Sequence, residues 1–266
     1  MQTTNKRQFS HSVRWGQFEQ LLHCGPYLKS VYETYNLAAL TPITSTSTLL
    51  NELATRNRIM NVPRFVDQCS FDNDPRYYEQ IIAEDKVVPC RLSCWHDFFN
   101  GLIWLEFPKT KWLLNRLHMD DISRFGTHPR TPKRNRITHF DECGLVLQVN
   151  SEKGMALVDQ LAQHQWKTVL HANADVWGKD IKPIIFGHAN LEMLLNPFMS
   201  LTAKWVVVET ASNMDEALAS LLIERDCFNL KGCFKPLPLM GIPGWDKNQN
   251  SAYYENKQVF RDKKSA

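Results

Sequence analysis

Residues 91–107 read "RLSCWHDFFNGLIWLEF", and the fold turns on how this stretch is read. As a helix, its Trp95, Phe98, Phe99, Leu102, Ile103, Trp104, Leu105 and Phe107 cover nearly every face. A helix apolar all round belongs inside a protein. The pattern therefore predicts a buried helix, with Ser93 as N-cap and Cys94, Trp95 and His96 in its first turn. His96, Asp97 and Asn100 would enter the interior with it. His96 and Asn100, four apart, share one side, and Asp97 lies about 100° round. An unpaired buried polar group costs about 1–3 kcal/mol, and a charge costs more. These three side chains must therefore meet partners: other side chains, a metal ion, or a pocket open to a ligand.

Working outward, Pro108 opens a second helix, "PKTKWLLNRLHMDDISRF", with Trp112, Leu113, Leu117 and Ile122 as its buried stripe. Before the central stretch, "VVPCR" is short and β-prone. "DPRYYEQIIAEDK" begins with Asp-Pro, a sound helix start. "STSTLLNELATRN" has hydroxyls to cap its start and leucines at helical spacing. "RWGQFEQLLHCGPYLKSVYETYN" predicts two short helices split at Gly25-Pro26, because proline cannot continue the backbone ladder.

Beyond residue 125 come a basic loop, "GTHPRTPKRNR", and a hairpin expected from "ITHF-DECG-LVLQVN". Helices follow over about 151–178. "IKPIIF" and "AKWVVVE" read as strands, "GHANLEMLLN" and "MDEALASLLIERD" as helices. The proline- and glycine-rich tail "KPLPLMGIPGWDKNQNSAYYENKQVFRDKK" is expected to run extended over the domain. The prediction is a single compact α+β domain over 1–266, mainly helical, with a small β-sheet and a long extended C-terminal segment. Residues 1–12 and 258–266 are expected to be flexible ends.

Composition excludes some classes. The chain has 266 residues, 43% hydrophobic and 22% charged, which suits a folded globular protein. No apolar run approaches the roughly 20 residues of a membrane-spanning helix. The opening lacks the apolar core of a secretory signal. A net charge of +3 is too small to imply nucleic acid by itself. Seven cysteines without a Cys-x-x-Cys pair argue against a structural zinc cluster. They read as buried, reduced thiols of a cytoplasmic protein.

Three further groups could carry chemistry. His188 and Glu192, four apart, stack on one helix face and could give two metal ligands or a plain surface pair. Asp141 and Glu142 could divide acid and base roles, bind a cation, or simply occupy a turn. The 124–136 segment holds Arg124, Arg130, Lys133, Arg134 and Arg136 without an acid, so it is either an anion cradle or a solvated charge run. Trp245, in "GIPGWDK", is a candidate ligand wall.

Together these segments resemble a bacterial family known as domain of unknown function 3025. The likeness rests on "WHDFFNGLIWLEFPKTK", "FDECG", "FGHANLE", "PLPLMGIPGW" before Tyr253-Tyr254, and "VPCR" with Arg91. It covers the chain from about residue 60 to the C-terminus. The family pattern has Arg-Asp before "F-D-E-x-G"; here Arg134 is kept and Asn135 replaces the acid. The resemblance implies no activity, cofactor or fold. It does place Arg91, His96, Asp97, Asn100, Arg134, Asp141, Glu142, His188 and Glu192 inside the family's signature blocks.

The functional expectation is an enzyme, a hydrolase or group transferase, acting on a phosphate- or carboxylate-bearing substrate. His96 or His188 is the general acid or base, because histidine titrates near working pH. Asp97 orients a histidine. Asp141 or Glu142 is a second acid–base group or cation ligand. Arg91 and Arg134 hold the anion, with Asn100, Glu192 and Trp245 also contacting substrate. One alternative is a non-catalytic module whose basic loop docks nucleic acid or an acidic partner. Another is a metalloprotein with a divalent ion on His96, His188 and Glu192 or Asp141.

Overall fold

The computed structural model describes residues 13–40 and 45–263. Its interior is organised around the expected helix, Trp95–Glu106, which is the fourth helix, α4. Trp95, Phe98, Phe99, Leu102, Ile103, Trp104 and Leu105 are all buried. The N-cap is Cys94, one residue later than expected. The Asp97 carboxylate reaches back to accept the Arg91 N–H at 2.6 Å, and Ser93 takes a left-handed φ of 49°. Gly101 lets helix α2 (Thr46–Arg56) approach closely, since a Cβ there would fall 2.2 Å from Leu50 Cδ1.

The other helices are α1 (Pro26–Thr34), α3 (Tyr78–Asp85), α5 (Pro108–Phe125), α6 (Pro132–Cys143), α7 (Glu152–Ala162), α8 (His188–Met193) and α9 (Met214–Glu224). Two sheets accompany them. A parallel pair joins β1 (Arg64–Asp67) to β2 (Val87–Cys90). A four-stranded sheet has the order β4 (Ile181–Ile185), β3 (Gly144–Val149), β5 (Thr202–Glu209), β6 (Lys235–Pro238). Strand β3 runs parallel to β5 and antiparallel to β4, while β6 pairs antiparallel with β5. Leu145, Val146, Leu147 and Val149 are all buried, as a central strand covered on both faces requires. The architecture is α+β and mainly helical.

Four expectations need correction. The hairpin over 137–150 is instead helix α6 running straight into β3 with no loop between Cys143 and Gly144. Pro132 at the helix start and Thr131 Oγ1, which accepts from Arg134 N at 3.1 Å, set its beginning. Ile137 and Phe140 then share its buried face. Helix α3 begins at Tyr78 rather than Asp74, because the Asp74 carboxylate binds Arg76 and Gln80 caps the Tyr77 N–H at 2.8 Å. The tail is not wholly extended coil: it contributes edge strand β6 and helical turns at Leu239–Gly241 and Ser251–Glu255. Nor are residues 258–263 a flexible end, because Phe260 is fully buried and Trp166 Nε1 donates to the Arg261 carbonyl at 2.8 Å. The expectations for 1–12 and 264–266 lie outside the described residues.

The cysteines also differ from the expected set of buried thiols. Cys227 and Cys233 form a disulfide. Cys90 is buried, Cys69 is exposed, and Cys24, Cys94 and Cys143 are half-buried. In α5, Leu113 and Ile122 are buried, whereas Trp112 and Leu117 only flank the core. Among the described residues no helix is long and apolar enough to cross a membrane.

Candidate functional site

The first turn of α4, the start of α8 and the last turn of α6 meet at one place. His188 and Glu192, one turn apart on α8, hold the His96 ring between them. His96 Nδ1 lies 2.8 Å from Glu192 Oε2, and His96 Nε2 lies 3.1 Å from His188 Nε2. His188 Nδ1 faces Asp141 Oδ2 at 3.9 Å. Lys111 Nζ, from α5, donates to Asp141 Oδ1 at 2.5 Å and to Asn100 Oδ1 at 2.9 Å. Asn100 Nδ2 in turn donates to Tyr78 Oη at 3.2 Å. One polar line therefore runs Glu192–His96–His188–Asp141–Lys111–Asn100–Tyr78.

Burial along this line is uneven: the His96 and Asp141 side chains are 30% and 23% exposed and Tyr78 is exposed, whereas His188, Lys111 and Asn100 are buried. Burial pushes His188 down to about 3, against the pull of the Asp141 charge, so its imidazole is neutral. Burial works to raise the Asp141 carboxyl, but the Lys111 ammonium beside it outweighs that and holds Asp141 below its ordinary range. Glu142 is raised by burial, with His96 opposing. Lys111 also sits 5.4 Å above the Trp104 ring, a cation–π contact that helps an interior ammonium.

The facing Nε2 atoms constrain the protons. Two neutral rings carry two N–H groups in all. If one occupies the Nε2···Nε2 contact, one Nδ1 must turn a lone pair toward a carboxylate. A cation shared by the rings removes that mismatch, since both Nδ1–H groups can then point at Glu192 and Asp141. This arrangement can hold and pass a proton near the surface.

Sequence-predicted residues divide clearly. His96, His188, Glu192, Asp141 and Asn100 are together in the line, and Glu142 is near enough to feel the His96 charge. Asp97 does not orient a histidine; it takes the Arg91 backbone N–H, Nε at 2.9 Å and Nη2 at 2.7 Å. Glu192 performs that orienting role instead. Arg91 stays 52% exposed beside the site.

Arg134 cannot hold a surface anion, because it is fully buried and donates to the Gly126 and Thr127 carbonyls at 2.9 and 3.0 Å. Arg136 likewise serves the fold through the Phe228 and Asn229 carbonyls. Trp245 packs on Tyr27 and lines a different cavity, of about 660 Å³, with His23, Cys24 and Met240. Lys111 and Tyr78 are site residues that sequence reasoning missed. The signal for Lys111 was its place on the apolar face of α5, between Phe107 and Leu114. Among the described residues no three His, Cys, Asp or Glu side chains are arranged to hold a metal ion.

A second buried histidine adjoins the line. His118 Nε2 lies 4.0 Å from Glu79 Oε1. Burial pushes His118 down to about 4, with Asp141 opposing and Arg134, Arg130 and Lys111 assisting. Its folded value lies below the unfolded one of about 6.5. The stability it contributes is therefore full above pH 6.5 and is lost as pH falls toward 4, by up to about 1.4 kcal/mol per pH unit. Glu79, raised by burial, works in the opposite direction. Urea midpoints at pH 7, 6, 5 and 4 should therefore fall toward acid more steeply in the wild type than in His118→Phe. Parallel profiles would contradict the burial argument.

A sequence model of a family described as protein of unknown function (DUF3025) matches residues 63–264. No curated protein matches the chain, and no solved structure does.

Proposed function

The chain belongs to that family, DUF3025, and we propose that it is an enzyme in which His96 carries a proton during hydrolysis or group transfer. One observation carries this reading. A solvent-reachable imidazole is aligned by a carboxylate at 2.8 Å and backed by a buried, neutral histidine at 3.1 Å. Alignment of the ring by Glu192 fixes which nitrogen bears the proton, as a general acid or base needs. Arg91, pinned by Asp97 yet exposed, presents a positive charge near Glu192. It supports a substrate bearing a phosphate or carboxylate group. Glu142, whose carboxyl is raised by burial and feels the His96 charge, is our candidate for the second acid–base group.

The test uses full-length protein without a histidine tag. Nitrophenyl phosphate and nitrophenyl acetate turnover is measured for wild type and His96→Gln, with circular dichroism as the check on folding. Inorganic phosphate and acetate are titrated in parallel against the His96 ring signals by NMR. Turnover should fall at least about tenfold in the folded variant, and phosphate or acetate should shift the His96 resonances. Equal turnover in His96→Gln would sink the assignment. So would the absence of both turnover and any ring response at saturating anion.

A further inference from the structure

A cavity of about 420 Å³ lies between α1, the end of α2, the end of α4 and strand β4. Glu106, the last residue of α4, faces it from the opposite end of the helix to His96, about 15 Å along the axis. Among the described residues that line it, Glu106 and Lys182 are the only charged ones. The Lys182 ammonium pulls the Glu106 carboxyl down, but the two form no ion pair. Among the described residues neither side chain has a hydrogen-bond partner. The neighbouring charges are accounted for elsewhere: Lys29 pairs with Glu33, Arg56 pairs with Glu52, and exposed Arg58 is not part of the lining.

The rest of the wall distinguishes the two poles. Three helices end at it: Tyr35 caps α1, Asn57 caps α2 and Glu106 closes α4. Helix C-termini carry partial negative charge and favour a cation. Tyrosine rings do the same. Tyr27 is held in place, its hydroxyl accepting the Ile185 N–H at 2.8 Å, and Tyr35 Oη bonds to nothing among the described residues. Lys182, on edge strand β4, supplies the pole for an anion. Val31, Ile59 and Ile184 add apolar surface between them.

We propose that this cavity binds a small zwitterion, a free α-amino acid with an apolar side chain, its ammonium at Glu106 beside the tyrosines and its carboxylate at Lys182. A simple amine would satisfy Glu106 and meet Lys182 as a like charge; a simple acid would do the reverse. A ligand carrying both charges matches two opposite groups that do not reach each other. The site is separate from the His96 line and does not depend on the function proposed for it.

The carboxyl also gives the site a pH signature. Glu106 reaches solvent, yet crowding by the wall pushes its carboxyl up to about 7, with Lys182 opposing. An ammonium group binds the ionised form, so affinity should rise with pH. Between pH 6 and 8 the ionised fraction climbs from about a tenth to about nine-tenths, roughly a ninefold gain. Tyr27 and Tyr35 also face the carboxyl. Burial and the Glu106 charge push both well above their ordinary values, so they stay neutral over this range.

Full-length protein is titrated by calorimetry at pH 8 with L-phenylalanine, phenethylamine and 3-phenylpropanoate. L-Phenylalanine should fill one saturable site. Each analogue lacks one charge and should bind at least about tenfold more weakly. Glu106→Gln and Lys182→Met should each weaken L-phenylalanine binding about tenfold in folded protein, checked by circular dichroism. Glu106→Gln should also flatten the change between pH 6 and 8. If Lys182→Met does not fold, the 3-phenylpropanoate and phenethylamine arms on wild type still read both poles. No saturable L-phenylalanine site, an analogue that binds as tightly, or affinity indifferent to Glu106→Gln would overturn the proposal.

Discussion

Asp141→Ala should lower the free energy of unfolding by about 3–5 kcal/mol, the usual result of removing one partner of a buried ion pair. Lys111 Nζ is the group left behind. Its side chain is 5% exposed, and its two hydrogen-bond acceptors are Asp141 at 2.5 Å and Asn100 at 2.9 Å. Asn100 and the Trp104 ring would remain, but neither carries the charge that balances an ammonium. Urea unfolding gives the number directly. The double change Asp141→Ala with Lys111→Met should recover most of the loss, because an apolar pair of similar volume no longer buries a charge. A cost below about 1 kcal/mol for the single variant would mean that Lys111 reaches water, and would remove the interior half of the polar line.

Gly187→Ala should be comparably damaging, by about 3 kcal/mol, for a steric reason. A Cβ at Gly187 would fall 2.5 Å from the Glu142 carbonyl oxygen, 2.5 Å from Gly144 N and 2.6 Å from Cys143 C. These are backbone atoms at the junction of α6 and β3, so no side-chain rotation can make room. The same glycine donates its N–H to the Gly144 carbonyl at 2.8 Å, and the contact cannot simply lengthen without breaking that bond. Its neighbour His188 would move with it, away from His96 and Asp141. The melting temperature should drop, and the His96 and His188 ring signals should lose their mutual dependence. Wild-type melting with an unaltered histidine pair would show that α8 docks more loosely than its backbone distances require.

Much of the architecture was legible because hydrophobic periodicity reports burial. The all-apolar α4 and the alternation of helices and strands after residue 150 follow from it. The α6 error has a local cause. Asp-Glu-Cys-Gly is good turn chemistry, and nothing local announces that Ile137 and Phe140 share a buried helical face. Tertiary packing decides that. For the site, His96, Asn100, His188, Glu192 and Asp141 could be picked out because polar side chains in apolar segments need partners. Which partner each one takes was not legible. Glu192 took the orienting role expected of Asp97, because the Asp97 carboxylate, in the first turn of α4, is already engaged by the neighbouring Arg91. Lys111 stayed hidden because a lysine on an apolar face usually reaches solvent with its tip.

The direct passage from α6 into β3 has a mechanical result. Asp141 and Glu142 inherit the stiffness of the innermost strand, so that wall of the site is stationary. Residues 91–94 are held in a different way: the chain there belongs to no ladder, turns through a left-handed serine, and is fastened by the Asp97 carboxylate on Arg91 and the Thr46 hydroxyl on Cys94 N.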